Sequence, residues 1–252
     1  MSLLQQYLKE KPWLHIVIGA STYRRLEPDE KVTGSARFHK GGNFYYDRYN
    51  TAFLVDTTAT YQRHHKSKLT PGVEYMPSWG PLGFLEDMAI DLGGTVGSLA
   101  TDKEQIPFVI RDTIIVAPLI CYESVYGEFV SNFVNKGANL IFIITNDGWW
   151  GNTPGHKQHF SMARLRAIEC RRSIARSANT GISCFIDQRG DVYQQTDYWV
   201  PAVIGQDLNL NNKQTFYVQM GDYIGRVSVF LSVIFILLSV VFGIRKKKTL
   251  TS

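Results

Sequence analysis

The sequence is short of the features that would place it in several large classes. Its three cysteines, Cys121, Cys170 and Cys184, are odd in number and their spacing fits no zinc pattern. Complete disulfide pairing is therefore excluded. A single Cys170–Cys184 bridge stays open beside the blander reading of two small buried hydrophobes. Net positive charge is small outside one place. The formal charge is +5, and four of those charges sit in Arg245, Lys246, Lys247 and Lys248, leaving about +1 for the rest. No basic face suggests nucleic acid, and no base-stacking motif stands out. Repeats and low-complexity stretches are absent. The N-terminal MSLLQQYLKEKPW carries Lys9, Glu10 and Lys11 where the apolar core of a signal peptide would continue.

What is present begins with apolar residues. At 252 residues and 44% hydrophobic content, the chain can build one sizeable core or two small ones. Residues 227–244 read VSVFLSVIFILLSVVFGI, an uncharged stretch of 18 residues. At 1.5 Å per residue this crosses most of a hydrocarbon core. Arg226 bounds it on one side and Arg245–Lys248 on the other. The heavier basic flank predicts a cytoplasmic C-terminus. Headgroup contact and topology suffice to explain that block.

Elsewhere the pattern alternates strands and helices. Residues 2–10 have the spacing of an amphipathic helix, with Leu3, Leu4, Tyr7 and Leu8 on one face. LHIVIGAS (14–21) is a strand, and 25–43 a loop or hairpin. NTAFLVD (50–56) and ATYQRHHK (59–66) read as a hairpin. Residues 67–100 are rich in Gly and Pro and predict a long ordered loop with a short helix near Phe84–Ile90. The buried strand of TIIVAPLICYES follows, then a helix over 126–138 and a strand over 139–147. HFSMARLRAIECRRSIARSAN (159–179) predicts one long amphipathic helix, 181–192 a strand and turn, and 201–210 a last strand. This order predicts an α/β layered domain. The boundaries are a domain over 1–210, a linker over 211–226, a transmembrane helix over 227–244 and a basic cytoplasmic tail over 245–252.

Open α/β sheets place active sites at the C-terminal ends of strands. One strand ends in Cys121; another ends in HHKSK, with Lys66 or Lys68; a third ends in the polar turn and aromatics of NDGWWG. A thiol is nucleophilic as the thiolate, and a nearby ammonium lowers its pKa. A lysine beside Cys121 therefore has a mechanistic use, and Glu74 or Glu123 could act as base or hold the lysine. His64, His65, His156 and His159 lie near these motifs, but nothing in the sequence makes them converge, so no metal is expected. His64 and His65 are expected to alternate across a strand, one in and one out.

HHKSKLTPGVEYMP, LICYES and TNDGWWG, in this order and at these separations, resemble the nitrilase-like domain of the apolipoprotein N-acyltransferases, and 159–190 is also like that family. The resemblance covers roughly residues 14–245. It implies a nitrilase-like α-β-β-α sandwich over 1–210, truncated at its N-terminal strand, outside the inner membrane. It implies transfer of an acyl chain from a phospholipid to a cysteine thioester, and on to the N-terminal amine of a diacylglyceryl-cysteine apolipoprotein. The partners so implied are a phospholipid donor, an apolipoprotein acceptor and the membrane; no cofactor is implied. By motif position Cys121 is the nucleophile, Lys66 stabilises the oxyanion and thiolate, and Glu74 orients the lysine. Tyr122 and Glu123 flank the nucleophile, with the Tyr122 N–H in the oxyanion hole. Trp149 lines the substrate entry, with Trp150 beside it.

The family's triad glutamate lies in a P-E motif ahead of the segment matching HIVIGAS, and no residue here reads that way. The N-terminal membrane bundle has no counterpart either. The expectation is a C-terminal part of an acyltransferase, with an open sheet edge where the missing strand would pair. Two rival readings stand beside it. One is a carbon–nitrogen amidase or nitrilase, in which water attacks the thioester. The other is a non-enzymatic membrane-anchored domain.

Overall fold

The computed structural model describes residues 3–58, 60–75 and 98–250, and side chains in the last helix as far as residue 242. The elements are α1 (Leu3–Glu10), β1 (Ile16–Arg25), β2 (Arg37–His39), β3 (Phe44–Val55), β4 (Gln62–His65), β5 (Phe108–Ile110), β6 (Ile114–Ile120), α2 (Gly127–Asn135), β7 (Leu140–Thr145), α3 (Pro154–Cys170), β8 (Ser173–Ala178), β9 (Cys184–Ile186), β10 (Val192–Tyr193), α4 (Phe216–Met220) and α5 (Tyr223–Leu250). The helix expected near Phe84–Ile90 lies outside the described residues.

Two sheets form. In the four-stranded sheet β3 is central. It pairs antiparallel with β1 from Ile16↔Val55 to Arg25↔Tyr46, and with β2 and β4 along its other edge. The hairpin expected over 50–66 is the β3–β4 pair. Among the described residues β1 pairs with β3 alone, so its outer edge is open. The six-stranded sheet runs β10-β9-β8-β7-β6-β5, with β6, β7 and β8 parallel and the outer pairings antiparallel. α2 and α3 are the crossovers that parallel neighbours require.

Side-chain alternation explains the layers. Ala117 and Leu119 of β6, and Ile141 and Ile143 of β7, face α2 and α3 and pack with Phe133, Ala163, Ala167 and Val218. The alternate residues Val116, Ile120 and Leu140 face the other sheet and pack with Ala52 and Leu54 of β3. β6 and β7 are thus covered on both faces, which is why they read as near-continuous apolar runs.

Three expectations need correction. The helix expected over 159–179 is α3 followed by a strand. Thr153 caps its start and Pro154 occupies the first turn, while Arg171 takes a left-handed conformation (φ 49°) and ends it. Residues 173–178 looked amphipathic because Arg176 alternates with apolar residues; they form β8, with Arg176 itself buried. Residues 201–210 form no strand. Ser173 and Gln194 side chains hydrogen-bond to the Asn209 and Gly205 carbonyls in place of a ladder. The span 211–226 is no free linker: Arg172 donates to the Lys213 carbonyl, and α4 buries Val218 in the helical layer.

α5 begins at Tyr223, and none of its apolar stretch Tyr223–Phe242 is buried among the described residues. By length and composition it can cross a membrane. Its first turn is held to α2, where the Glu128 carboxylate accepts from the Asp222 N–H at 2.9 Å and pairs with Arg226.

Phe133 is fully buried between α2 and the sheet. Phe133→Ala is expected to lower unfolding stability by about 3–5 kcal/mol, read as a drop in denaturation midpoint.

Candidate active site

The strand ends expected to carry chemistry converge. A cavity of about 670 Å³ opens between the two sheets. β1 and β3 contribute its floor through Gly19, Ser21 and Asn50. Lys66 closes one side, just past β4, and Cys121, Thr145 and Ala178 stand at the C-terminal ends of β6, β7 and β8. Gly19 belongs here because its position faces β7: a Cβ would come within 3.0 Å of Ile144. Of the two strand-end lysines, Lys66 lines the cavity, while Lys68 lies over the Tyr126 ring at 5.6 Å.

Cys121 is the first residue of a 3-10 turn (Cys121–Val125) and has φ +50°, a strained value for a side-chain-bearing residue. β6 thus stops abruptly and turns the thiol into the cavity. Burial pushes the Cys121 thiol up; the Lys66 charge and a hydrogen bond with Thr145 pull it back down. At the other two thiols, nearby arginines offset burial only in part. Burial pushes Cys170 up to about 12 and Cys184 up to about 11. All three are free, so the Cys170–Cys184 bridge does not form.

Lys66 is wholly buried, and its ammonium meets Glu74 Oε2 at 2.5 Å. Glu74 also accepts from the Thr70 N–H at 2.8 Å and from Asn50 Nδ2 at 2.5 Å. A buried ammonium needs such a partner. Glu74 supplies that partner to Lys66. Its oxygens are all engaged, and among the described residues it is the one carboxylate lining the cavity.

Glu123 does not line the cavity. It is fully buried behind the nucleophile, accepting from the Ile120 N–H at 2.8 Å, the Ser67 N–H at 2.7 Å and His64 Nε2 at 3.2 Å. His64 points inward and His65 the other way, where it hydrogen-bonds Thr51. Tyr122 packs beside the inter-sheet core and meets Tyr126 edge-on at 5.6 Å. Trp149 lines the cavity, its indole N–H donating to the Asn146 carbonyl at 2.5 Å. Trp150 stands 6.1 Å from it, ring centre to ring centre, and packs against Gly155 away from the cavity lining.

Sequence reasoning missed Asn50, Asp147 and Arg176. Asp147 was within the quoted TNDGWWG, while Arg176 was hidden by the mistaken helix. Asp147 accepts from Thr145 at 2.8 Å, from His159 Nδ1 at 3.0 Å and from Arg176 at 2.7 Å. Burial pushes its carboxyl up, but His159 and Arg176 outweigh that and hold it well below the usual carboxylate range. The Cys121, Asp147 and His159 donor atoms lie within 4.8 Å of one another, the closest approach to a metal-ligand set among the described residues. Asp147 and His159 are already committed to protein hydrogen bonds, a poor fit for an ion. His156 stacks on Tyr198 at 4.3 Å instead of joining them.

The chemistry available is that of a shielded thiol nucleophile opposite a fixed ammonium. Iodoacetamide is expected to label Cys121 first, faster as pH rises from about 7 to about 9, with Cys170 and Cys184 labelled on unfolding. Lys66→Met removes the opposing charge and should slow Cys121 labelling at about pH 8 by roughly tenfold or more. Glu123→Ala leaves two buried N–H groups and His64 without their acceptor, and should cost about 3 kcal/mol in a denaturant titration.

The carbon-nitrogen hydrolase family matches residues 4–216. The chain is 34% identical over 207 residues to an apolipoprotein N-acyltransferase of Chlorobaculum tepidum, a match covering 80% of this chain and 38% of that protein. It is 32% identical over 197 residues to one of Geobacter metallireducens, covering 76% of this chain and 36% of that protein. The chain thus spans less than two-fifths of the length of these relatives. Among solved structures, an amidase from Nesterenkonia sp. aligns with 79% of this chain and 62% of its own at a TM-score of 0.49 and 17% identity. Running from α1 to the start of α4, through both sheets and through Lys66, Glu74 and Cys121, the family match places the chain in the carbon–nitrogen hydrolase family.

Proposed function

We propose that this chain carries the thiol centre of an apolipoprotein N-acyltransferase. The observation that carries the reading is a strained, cavity-facing Cys121 opposite the Lys66–Glu74 pair, in a chain that also bears a membrane-length apolar helix. Relatives named for that activity support it.

In this reading the Cys121 thiolate attacks the carbonyl of a phospholipid ester. A C–S bond forms, the C–O bond breaks, and the lysophospholipid leaves with a proton. The amine of a diacylglyceryl-cysteine apolipoprotein then attacks the thioester; a C–N bond forms and the thiol is released. Lys66 and the Tyr122 N–H face the developing oxyanion. Trp149 borders the acyl path. Glu74 is spent on Lys66, so the base that takes the thiol proton is assigned to a carboxylate outside the described residues. The resemblance puts it on a strand that would pair with the open edge of β1. The chain is then a partial form, needing the remainder of the enzyme for full turnover. α5 anchors it, with Arg245–Lys248 on the cytoplasmic side and the sandwich on the periplasmic face of the inner membrane.

Incubated in detergent with phospholipid, the chain is expected to gain one acyl mass, removed by hydroxylamine and absent in Cys121→Ser. A folded chain that gains no mass would overturn the reading.

A further inference from the structure

One buried network behind the nucleophile has no part in the mechanism above. His159 of α3 is buried, and each of its ring nitrogens faces an oxygen. Nδ1 lies 3.0 Å from Asp147 Oδ1, and Nε2 lies 3.0 Å from the carbonyl oxygen of Cys121. Asp147 is held in turn by Arg176 and Thr145. Ser124, in the same 3-10 turn as the nucleophile, donates to the Cys121 carbonyl at 2.9 Å and lies 3.1 Å from Nε2. Two side chains from two elements thus converge on one backbone oxygen.

That oxygen is a telling one. The Cys121 carbonyl and the Tyr122 N–H belong to a single rigid peptide plane and point in opposite directions. Cys121 is also the residue with the strained φ of +50°, a conformation that persists only where its surroundings impose it. Fixing the carbonyl from behind fixes the N–H in front.

We infer that His159 is a positioning residue with both ring N–H groups donating: held through Nδ1–H by Asp147, which Arg176 fixes in turn, it grips the Cys121 carbonyl through Nε2–H and so aims the Tyr122 N–H at the acyl oxyanion. The inference rests on the acyl-transfer reading for its biological meaning. Its geometric claim concerns any acylation of Cys121.

Two amide substitutions separate the contacts. In His159→Gln the side-chain amide N–H reaches the place of Nε2; in His159→Asn the shorter side chain brings it to the place of Nδ1. The test compares these two variants in the full chain in detergent, with thermal unfolding recorded for each. Acylation is read with 4-nitrophenyl butyrate: the thiolate attacks the ester carbonyl, the C–S bond forms, the C–O bond breaks and nitrophenolate leaves. Alkylation by iodoacetamide is the control, because direct displacement at carbon develops no oxyanion. His159→Asn is expected to slow acylation about a hundredfold, the scale of one lost oxyanion donor. Its alkylation rate should change by less than about threefold, since burial, Lys66, Thr145, Asp147 and Glu74, not His159, shift the thiol. His159→Gln should recover most of the acylation rate.

Equal acylation rates in the two variants, or acylation and alkylation falling together, would overturn the inference. An unsubstituted chain that reacts with neither ester would overturn both the inference and the acyltransferase reading. Reaction with the nitrophenyl ester but not with phospholipid would overturn the acyltransferase reading alone, leaving the variant comparison to decide the role of His159.

Discussion

One buried carboxylate joins the two halves of the site. Glu123 accepts from the Ile120 N–H at the end of β6, and from the Ser67 N–H and His64 next to Lys66. Ile120 belongs to the six-stranded sheet; His64 belongs to β4 of the four-stranded sheet. The apolar contacts between the sheets are non-directional and tolerate sliding. The charge-assisted bonds to Glu123 do not. They set the register of the nucleophile against the lysine, and in a buried setting each bond left unmade carries a full desolvation cost.

Around this staple two ion pairs neutralise buried charge. Lys66 meets Glu74 and Asp147 meets Arg176, and each pair recruits further donors. Removal of one member would strand the other in low dielectric, so these positions are coupled and not interchangeable. The thiol sits between the two pairs; burial pushes its pKa up, Lys66 draws it down and the carboxylates of Asp147 and Glu74 add to the rise. Its reactivity is therefore a property of the assembled cavity, not of the CYE stretch alone.

Much of this was legible in the sequence. Two-sided burial wrote β6 and β7 as continuous apolar runs, and the strand-end rule then pointed to Cys121 and to Lys66 or Lys68, between which the resemblance chose Lys66. Their motifs supplied Glu74. The strand β8 was lost because Arg176 broke its apolar pattern: a buried arginine reads as a solvent-facing one until its carboxylate is known. Residues 201–210 misled in the opposite sense, since Val203 and Leu210 face solvent and Leu208 packs against the inter-sheet core, while side chains satisfy part of their backbone.

The sequence by itself determined the layering, the strand-end thiol and the membrane-length helix, because each follows from local periodicity or from run length. Only the tertiary structure decided what the polar residues do. Glu123 became a cross-sheet anchor, Glu74 a lysine clamp, and His159 and Asp147 a hydrogen-bonded support behind the thiol. The reason is physical. Apolar burial leaves a period along the chain, whereas a hydrogen bond depends on which donor comes within about 3 Å in space. Partners as far apart in the chain as Asp147 and Arg176, or His64 and Glu123, give no local sign of that meeting.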